Sequence, residues 1–175
     1  MTGTRNWAFL TAGIMAAVYF LLSAIPALAR ARPLTTRPHT YRWLVRAITG
    51  FFLAVHLATL AAQLGTPFGP LRLIAVAIGA LFTVIGYLLP EFKPNPYAGI
   101  RTPWTLADEQ TWRITHRLNR YPFMAAGGLV LGLSLALPRE TQVFLALAVI
   151  LGCAAAFSIL SSYFVHRART RRTHN

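Results

Sequence analysis

Lys93, Arg101, Arg113 and Arg117 lie close together in a chain that is otherwise mostly apolar. Guanidinium groups suit two-pronged contacts with phosphate or carboxylate. The four cations therefore read either as an anion site or as plain topological charge with no ligand. Arg101, set between Gly99 and Pro103, occupies the most demanding backbone setting and is the first choice for a ligand contact. Asp108, Glu109 and His116 follow in the same stretch, as an acid/base set or as metal ligands. On one helix Asp108 and His116 would stand ~12 Å apart, at ~1.5 Å per residue, too far for one metal without a third element. A capping role for Asp108 and an i,i+4 pair between Glu109 and Arg113 account for both acids without chemistry. His56 is the one ionisable side chain deep in an apolar run, with Thr59 and Gln63 on roughly its face. It reads evenly as an intramembrane functional group or as a neutral histidine bonded to a neighbouring helix, with Glu91 a candidate partner.

These residues need a scaffold, and composition says which kind. The 175 residues are 55% hydrophobic with a mean hydropathy of +0.51, which excludes an ordinary soluble domain. A formal charge of +13 would by itself suggest nucleic acid. The basic residues, however, sit in the gaps between apolar runs, as topology signals do, so no direct nucleic-acid partner is expected. Cys153 is the single cysteine, which rules out an internal disulfide and a paired-thiol metal site.

The runs predict an all-α, polytopic membrane protein: a single membrane domain over residues 1–175, built as a five-transmembrane-helix bundle. A bilayer core takes ~20 apolar residues as helix. The spans fall at about 7–29, 47–64, 73–89, 121–137 and 143–165, with a loop over 90–120 and a basic tail over 166–175. Arg30, Arg32, Arg37, Arg42 and Arg46, the loop cations with Arg120, and Arg167, Arg169, Arg171 and Arg172 then share one face, against Arg5, Arg72 and Arg139 on the other. The positive face is cytoplasmic. The expected location is the bacterial inner membrane, amino terminus outside and carboxyl terminus inside. Pro26-Ala27-Leu28-Ala29 resembles a signal-peptidase site, but the long apolar stretch and the basic cluster after it favour a retained span.

Within the loop, Lys93-Pro94-Asn95-Pro96 excludes helix and Gly99 permits a backbone conformation closed to other residues. Thr105 as cap, with Asp108 reaching back, predicts a short interfacial helix from Leu106 to about Leu118. In the fourth span, Gly128 and Gly132 form a GxxxG face, and Gly152 with Ala156 a similar one in the fifth; both read as packing surfaces.

The pattern Gly86, Pro90, Lys93-Pro94-Asn95, Gly99-Ile100-Arg101-Thr102-Pro103-Trp104-Thr105-Leu106, Trp112 and Thr115-His116-Arg117 resembles the SdpI family of bacterial membrane proteins in its shorter form. A looser likeness covers Tyr41–Gly65. Tyr87, Pro96, Asn119 and Arg120 depart from the family's pattern. The resemblance implies immunity to a secreted toxic peptide and signalling through a soluble transcriptional repressor held at the inner face. The candidate binding residues are Lys93, Asn95, Arg101, Trp104, Trp112, His116, Arg117 and His56. No cofactor and no metal are expected, and membrane lipids are the standing partners. There is no phosphate loop, no HExxH and no nucleophile triad, so the enzyme reading is the weaker one. Two alternatives remain open: a membrane enzyme or transporter acting on a lipid-like or isoprenoid anion, and an accessory subunit of a larger membrane complex.

Overall fold

A computed structural model describes residues 3–28, 34–65 and 69–173. The signal-peptidase point at Ala29, Arg30 and Arg32, and most of the TPFGP turn lie outside the described residues. The fold is all-helical: α1 Gly3–Leu28, α2 Pro38–Gln63, α3 Pro70–Leu88, α4 Pro103–Ala107, α5 Glu109–Ala136 and α6 Glu140–Thr173, with a 3-10 turn Leu89–Glu91 after α3. Proline stands at the start of α2, α3 and α4, where its missing N–H costs nothing and its fixed φ suits the first turn.

Among the described residues, four segments are long and apolar enough to cross a membrane: Phe9–Ala27, His39–Gln63, Pro70–Glu91 and Glu140–Arg171. The helix over the expected fourth span, α5, is not among them. Its first half carries Arg113, Arg117, Asn119 and Arg120, and its apolar half from Tyr121 to Ala136 is only ~24 Å long.

The short interfacial helix expected over Leu106–Leu118 is not formed as a separate element. Pro103–Ala107 makes α4, Asp108 leaves helical conformation at φ −135° and ψ 116°, and α5 then runs unbroken through Pro122 to Ala136. The caps differ accordingly. Thr102, not Thr105, caps α4, with the Thr105 hydroxyl answering the Thr102 N–H, and Asp108 caps α5 through Gln110 and Thr111. Two short polar side chains thus satisfy two adjacent helix starts. The basic tail is likewise no separate end, because α6 continues helical to Thr173.

α3 lies between α2 and α5, α6 packs on α5 and α3, and α1 rests on α2. The closest approach is between α3 and α5. A Cβ on Gly79 would stand 2.8 Å from the Gly127 carbonyl oxygen, and one on Gly86 2.8 Å from the Met124 nitrogen. These glycines let the two backbones meet. Gly128, Gly132 and Gly152, expected to pack, face open space instead, and Ala156 is exposed. One residue of register separates Gly127 from Gly128, and on a helix that is a turn of ~100°, enough to move the small residue off the contact.

Two apolar clusters hold the ends. Leu34, Tyr41, Leu44, Val45, Leu88, Phe92 and Trp112 form one; Ala75, Val130, Val143 and Leu147 form the other. Near the second, the Arg72 guanidinium donates to the carbonyls of Ser134 at 2.9 Å, Leu137 at 2.7 Å and Pro138 at 3.2 Å, satisfying groups that the end of α5 leaves unpaired. Large apolar side chains such as Phe20, Leu135, Val149 and Phe164 are exposed, the arrangement a hydrocarbon solvent requires.

Candidate functional site

The segment from Phe92 to Thr102 has no regular structure, yet its polar groups are largely paired. Thr35 and Phe92 form an isolated bridge, with Thr36 N donating to Glu91 O at 2.7 Å and Lys93 N to Leu34 O at 3.0 Å. Asn95 is buried and organises the turn that follows. Its amide nitrogen donates to Lys93 O at 2.7 Å and Ala98 O at 3.2 Å, and its oxygen accepts from Tyr97 N and Ala98 N, both at 2.8 Å. Two donors and two acceptor sites are the whole capacity of an asparagine side chain. Asn95 therefore shapes the loop and has nothing left for a ligand.

Gly99 follows at φ +118°, a region that L side chains rarely adopt. It lies against α5, where a Cβ would collide with His116 Nε2 and come within 2.9 Å of Trp112 Cζ2. Trp112 and His116, one helical turn apart, stack with centroids 4.1 Å apart and both are fully buried. The Trp112 indole donates to Phe92 O at 2.9 Å. Nδ1 of His116 lies 2.9 Å from the Trp112 carbonyl and Nε2 accepts from the Ile100 amide at 3.0 Å. A carbonyl only accepts and an amide only donates, so the ring is neutral with its proton on Nδ1. Burial holds its pKa down to about 4. Both nitrogens are committed, which leaves no lone pair for a metal and no proton to exchange. No group of three metal-ligating side chains occurs among the described residues.

The loop is fastened to α6 as well. Trp104 donates to Ser162 Oγ at 2.8 Å and packs against Tyr163 and His166. Asp108 meets Arg169 at 2.8 Å. Hydrogen bonds from Thr111, led by its hydroxyl, together with Arg169, hold the Asp108 carboxyl at about 2. One turn beyond His116, buried Asn119 donates to Ser161 Oγ and accepts from Ser158 Oγ, both at 2.9 Å. Spacings of four and then three residues place Trp112, His116 and Asn119 along one inward stripe of α5.

The structure thus brings Asn95, Trp112 and His116 together around Gly99 and Ile100, with Trp104 of α4 held against α6. Lys93, Arg101 and Arg117 are exposed. Arg101 donates to the Pro96 carbonyl, which ties its guanidinium to the turn. Arg113 and Arg117 border a surface hollow of about 340 Å³ with Gln110, Ile114 and Leu118. His56 stands apart, its Nδ1 2.7 Å from Thr11 Oγ1 of α1; its partner is this hydroxyl on a neighbouring helix and not Glu91. The sequence reading missed Asn119, Ser158 and Ser161 as a connected set. The Thr115–Asn119 stripe and the serines of α6 were visible, but nothing in either helix says which faces the other.

Residues 91–162 match the family model described as the SdpI/YfhL protein family. The chain is 26% identical over 113 residues to the immunity protein SdpI of Bacillus subtilis (strain 168), a match covering 65% of this chain and 54% of that relative. The SdpI resemblance read from the loop is thereby borne out, and the chain spans about half the length of the curated relative it matches. No solved structure matches the chain significantly.

Proposed function

We propose that this chain is a multi-pass immunity protein of the SdpI type, protecting its cell against a secreted toxic peptide. It crosses the bacterial inner membrane five times, with the apolar half of α5 as the fourth span and the loop and carboxyl terminus inside. The charge asymmetry of the connectors supports that orientation. The shortness of the fourth span is met by the interfacial reach of Tyr121 and Phe123.

The observation that carries the reading is the division of labour in the loop. Asn95, Trp112 and His116 are spent on internal contacts, and they hold Lys93, Arg101, Arg113 and Arg117 outward as a rigid cationic surface. A soluble transcriptional repressor docks there through carboxylates. Peptide recognition takes place among the spans or at the outer leaflet, and α6 is the element that joins the two. Trp104–Ser162 and Asp108–Arg169 link the loop to α6, so any rearrangement of α6 reaches the docking surface. Such coupling requires two helix arrangements with different affinities for the peptide.

Susceptible cells expressing the chain and challenged with the toxic peptide provide the test. Arg101→Ala should lose signalling through the exposed surface. Trp104→Ala should lose signalling and protection together, because it detaches the loop from α6. Expression of both variants at the wild-type level with undiminished protection and signalling would refute the assignment.

A further inference from the structure

A second polar feature lies where the two ends of the loop meet α2. The amino end of α2, the carboxyl end of α3 and the middle of α5 enclose a cleft of about 360 Å³, bordered by Arg37, His39, Trp43, Tyr87, Glu91 and Arg120. That volume is at the lower end of the range for small-molecule sites. Two buried polar atoms of opposite character in its lining have no hydrogen-bond partner: Glu91 Oε2, an acceptor, and Arg120 Nε, a donor. Arg37 Nε forms a loose, largely exposed ion pair with Glu91 Oε2 at 3.9 Å, too long to be a hydrogen bond. Unmet groups of this kind are costly when buried and call for an explanation.

The walls favour a ligand with both signs of charge. The Arg120 guanidinium lies over the ring of Tyr87 at 5.0 Å and that of Tyr121 at 6.0 Å. Stacking uses the guanidinium faces and leaves its in-plane N–H groups for a planar or tetrahedral anion. Arg37, two-thirds exposed, flanks the same opening. Glu91 asks instead for a cationic N–H donor, and the Trp43 and Tyr87 rings, both exposed, suit an ammonium as neighbours. An anion alone would meet Arg120 and be repelled by Glu91; a cation alone would do the reverse. We infer that this cleft binds a phosphoethanolamine group, its phosphate on Arg120 and Arg37 and its primary ammonium on Glu91. The exposed aromatics at the mouth fit a membrane-interface depth, which a lipid headgroup would share.

The test uses the full chain, purified and delipidated in detergent, with native mass spectrometry and thermal unfolding as readouts. Phosphatidylethanolamine should be retained about tenfold more tightly than phosphatidylglycerol, which has no ammonium, and phosphatidylcholine, whose quaternary nitrogen has no N–H for Glu91. Glu91→Gln should erase the preference while leaving phosphatidylglycerol binding unchanged or stronger. Arg120→Gln should weaken all three lipids. Soluble glycerophosphoethanolamine that displaces the lipid would show that the headgroup chemistry suffices. Selective retention without displacement would show that the acyl chains are also needed, and either result supports the site. The comparison on the wild-type chain stands even if a variant fails to fold. Equal retention of the three lipids, or a preference that survives Glu91→Gln in a folded variant, would overturn the inference.

Discussion

The imidazole of His116 accepts the backbone amide of Ile100 at 3.0 Å, so a side chain on α5 holds the backbone of a loop sixteen residues earlier. That bond exists only while the ring is neutral, because a protonated Nε2 would confront an N–H with another N–H.

Acid should therefore loosen the loop. The His116 pKa is about 4 in the folded chain against 6.5 unperturbed, lowered by burial. Above pH 6.5 the ring is neutral folded or unfolded and the anchor is intact. As the pH falls from 6.5 toward 4, the unfolded state takes up the proton first and stability is lost, by on the order of 3 kcal/mol in total. The exchange protection of the Ile100 amide, corrected for intrinsic rate, should fall across that window. Protection that stays flat from pH 7 to 4 would contradict the assignment.

Gly99→Ala should be severe and Gly128→Ala mild. At Gly99 the backbone lies at φ +118° and the new methyl meets Trp112 and His116, so strain and overlap together cost about 2–5 kcal/mol. Gly128 is helical and faces open space, and alanine there should be neutral or stabilising by up to ~1 kcal/mol. Thermal unfolding of the two variants in the same detergent distinguishes the sites.

Removing the Asp108 carboxylate should fray the start of α5. Asp108→Ala deletes the cap and the contact with Arg169, at about 1 kcal/mol for the cap alone. Asp108→Asn keeps an accepting oxygen and should cost less. The Asp108 carboxyl sits at about 2 against 3.8 unperturbed, held there first by the Thr111 hydroxyl. Its stabilisation is complete above pH 3.8 and disappears as the pH falls toward 2. Amide exchange at Gln110 and Thr111 would report both effects.

Asn119 and Ser158 should be energetically coupled. Their 2.9 Å bond crosses between α5 and α6, and bonds of this kind within membrane bundles average about 0.6 kcal/mol. A double-mutant cycle with Asn119→Ala and Ser158→Ala should return a coupling of that order. Strict additivity would mean the two helices do not meet there.

Five spans make a prediction that four would not. With Cys153→Ser as background, cysteines placed at Arg101 and Arg171 should label from the same side of the membrane, opposite to one placed at Arg139. Labelling of Arg101→Cys and Arg171→Cys from opposite sides would mean that α5 does not cross.

Much of the helical plan was legible because hydrophobic run length and proline position are local properties. The starts of α2, α3 and α4 coincide with Pro38, Pro70 and Pro103. The cap at Asp108 was misplaced onto Thr105 because either residue can accept from an amide two or three positions on, and only the packing of α4 against α6 decides where the chain breaks. The same ambiguity joined the expected interfacial helix to the fourth span, since Pro122 sits inside a helix whose neighbours support it.

The residue types by themselves determined an all-helical membrane chain with a proline-stiffened loop, and the GIRTPWTL run carried its resemblance to the SdpI family. The tertiary structure decided that Asn95 and His116 are internal fasteners while Lys93, Arg101 and Arg117 remain on the surface. It also set Gly127, and not Gly128, against α3, and drew Arg120, Tyr87 and Glu91 around one cleft. Hydrophobicity and backbone preference act over a few neighbouring residues and can be read along the chain. Which hydrogen-bond donor meets which acceptor depends on the rotation of one helix against another, and that is fixed only when the whole bundle packs.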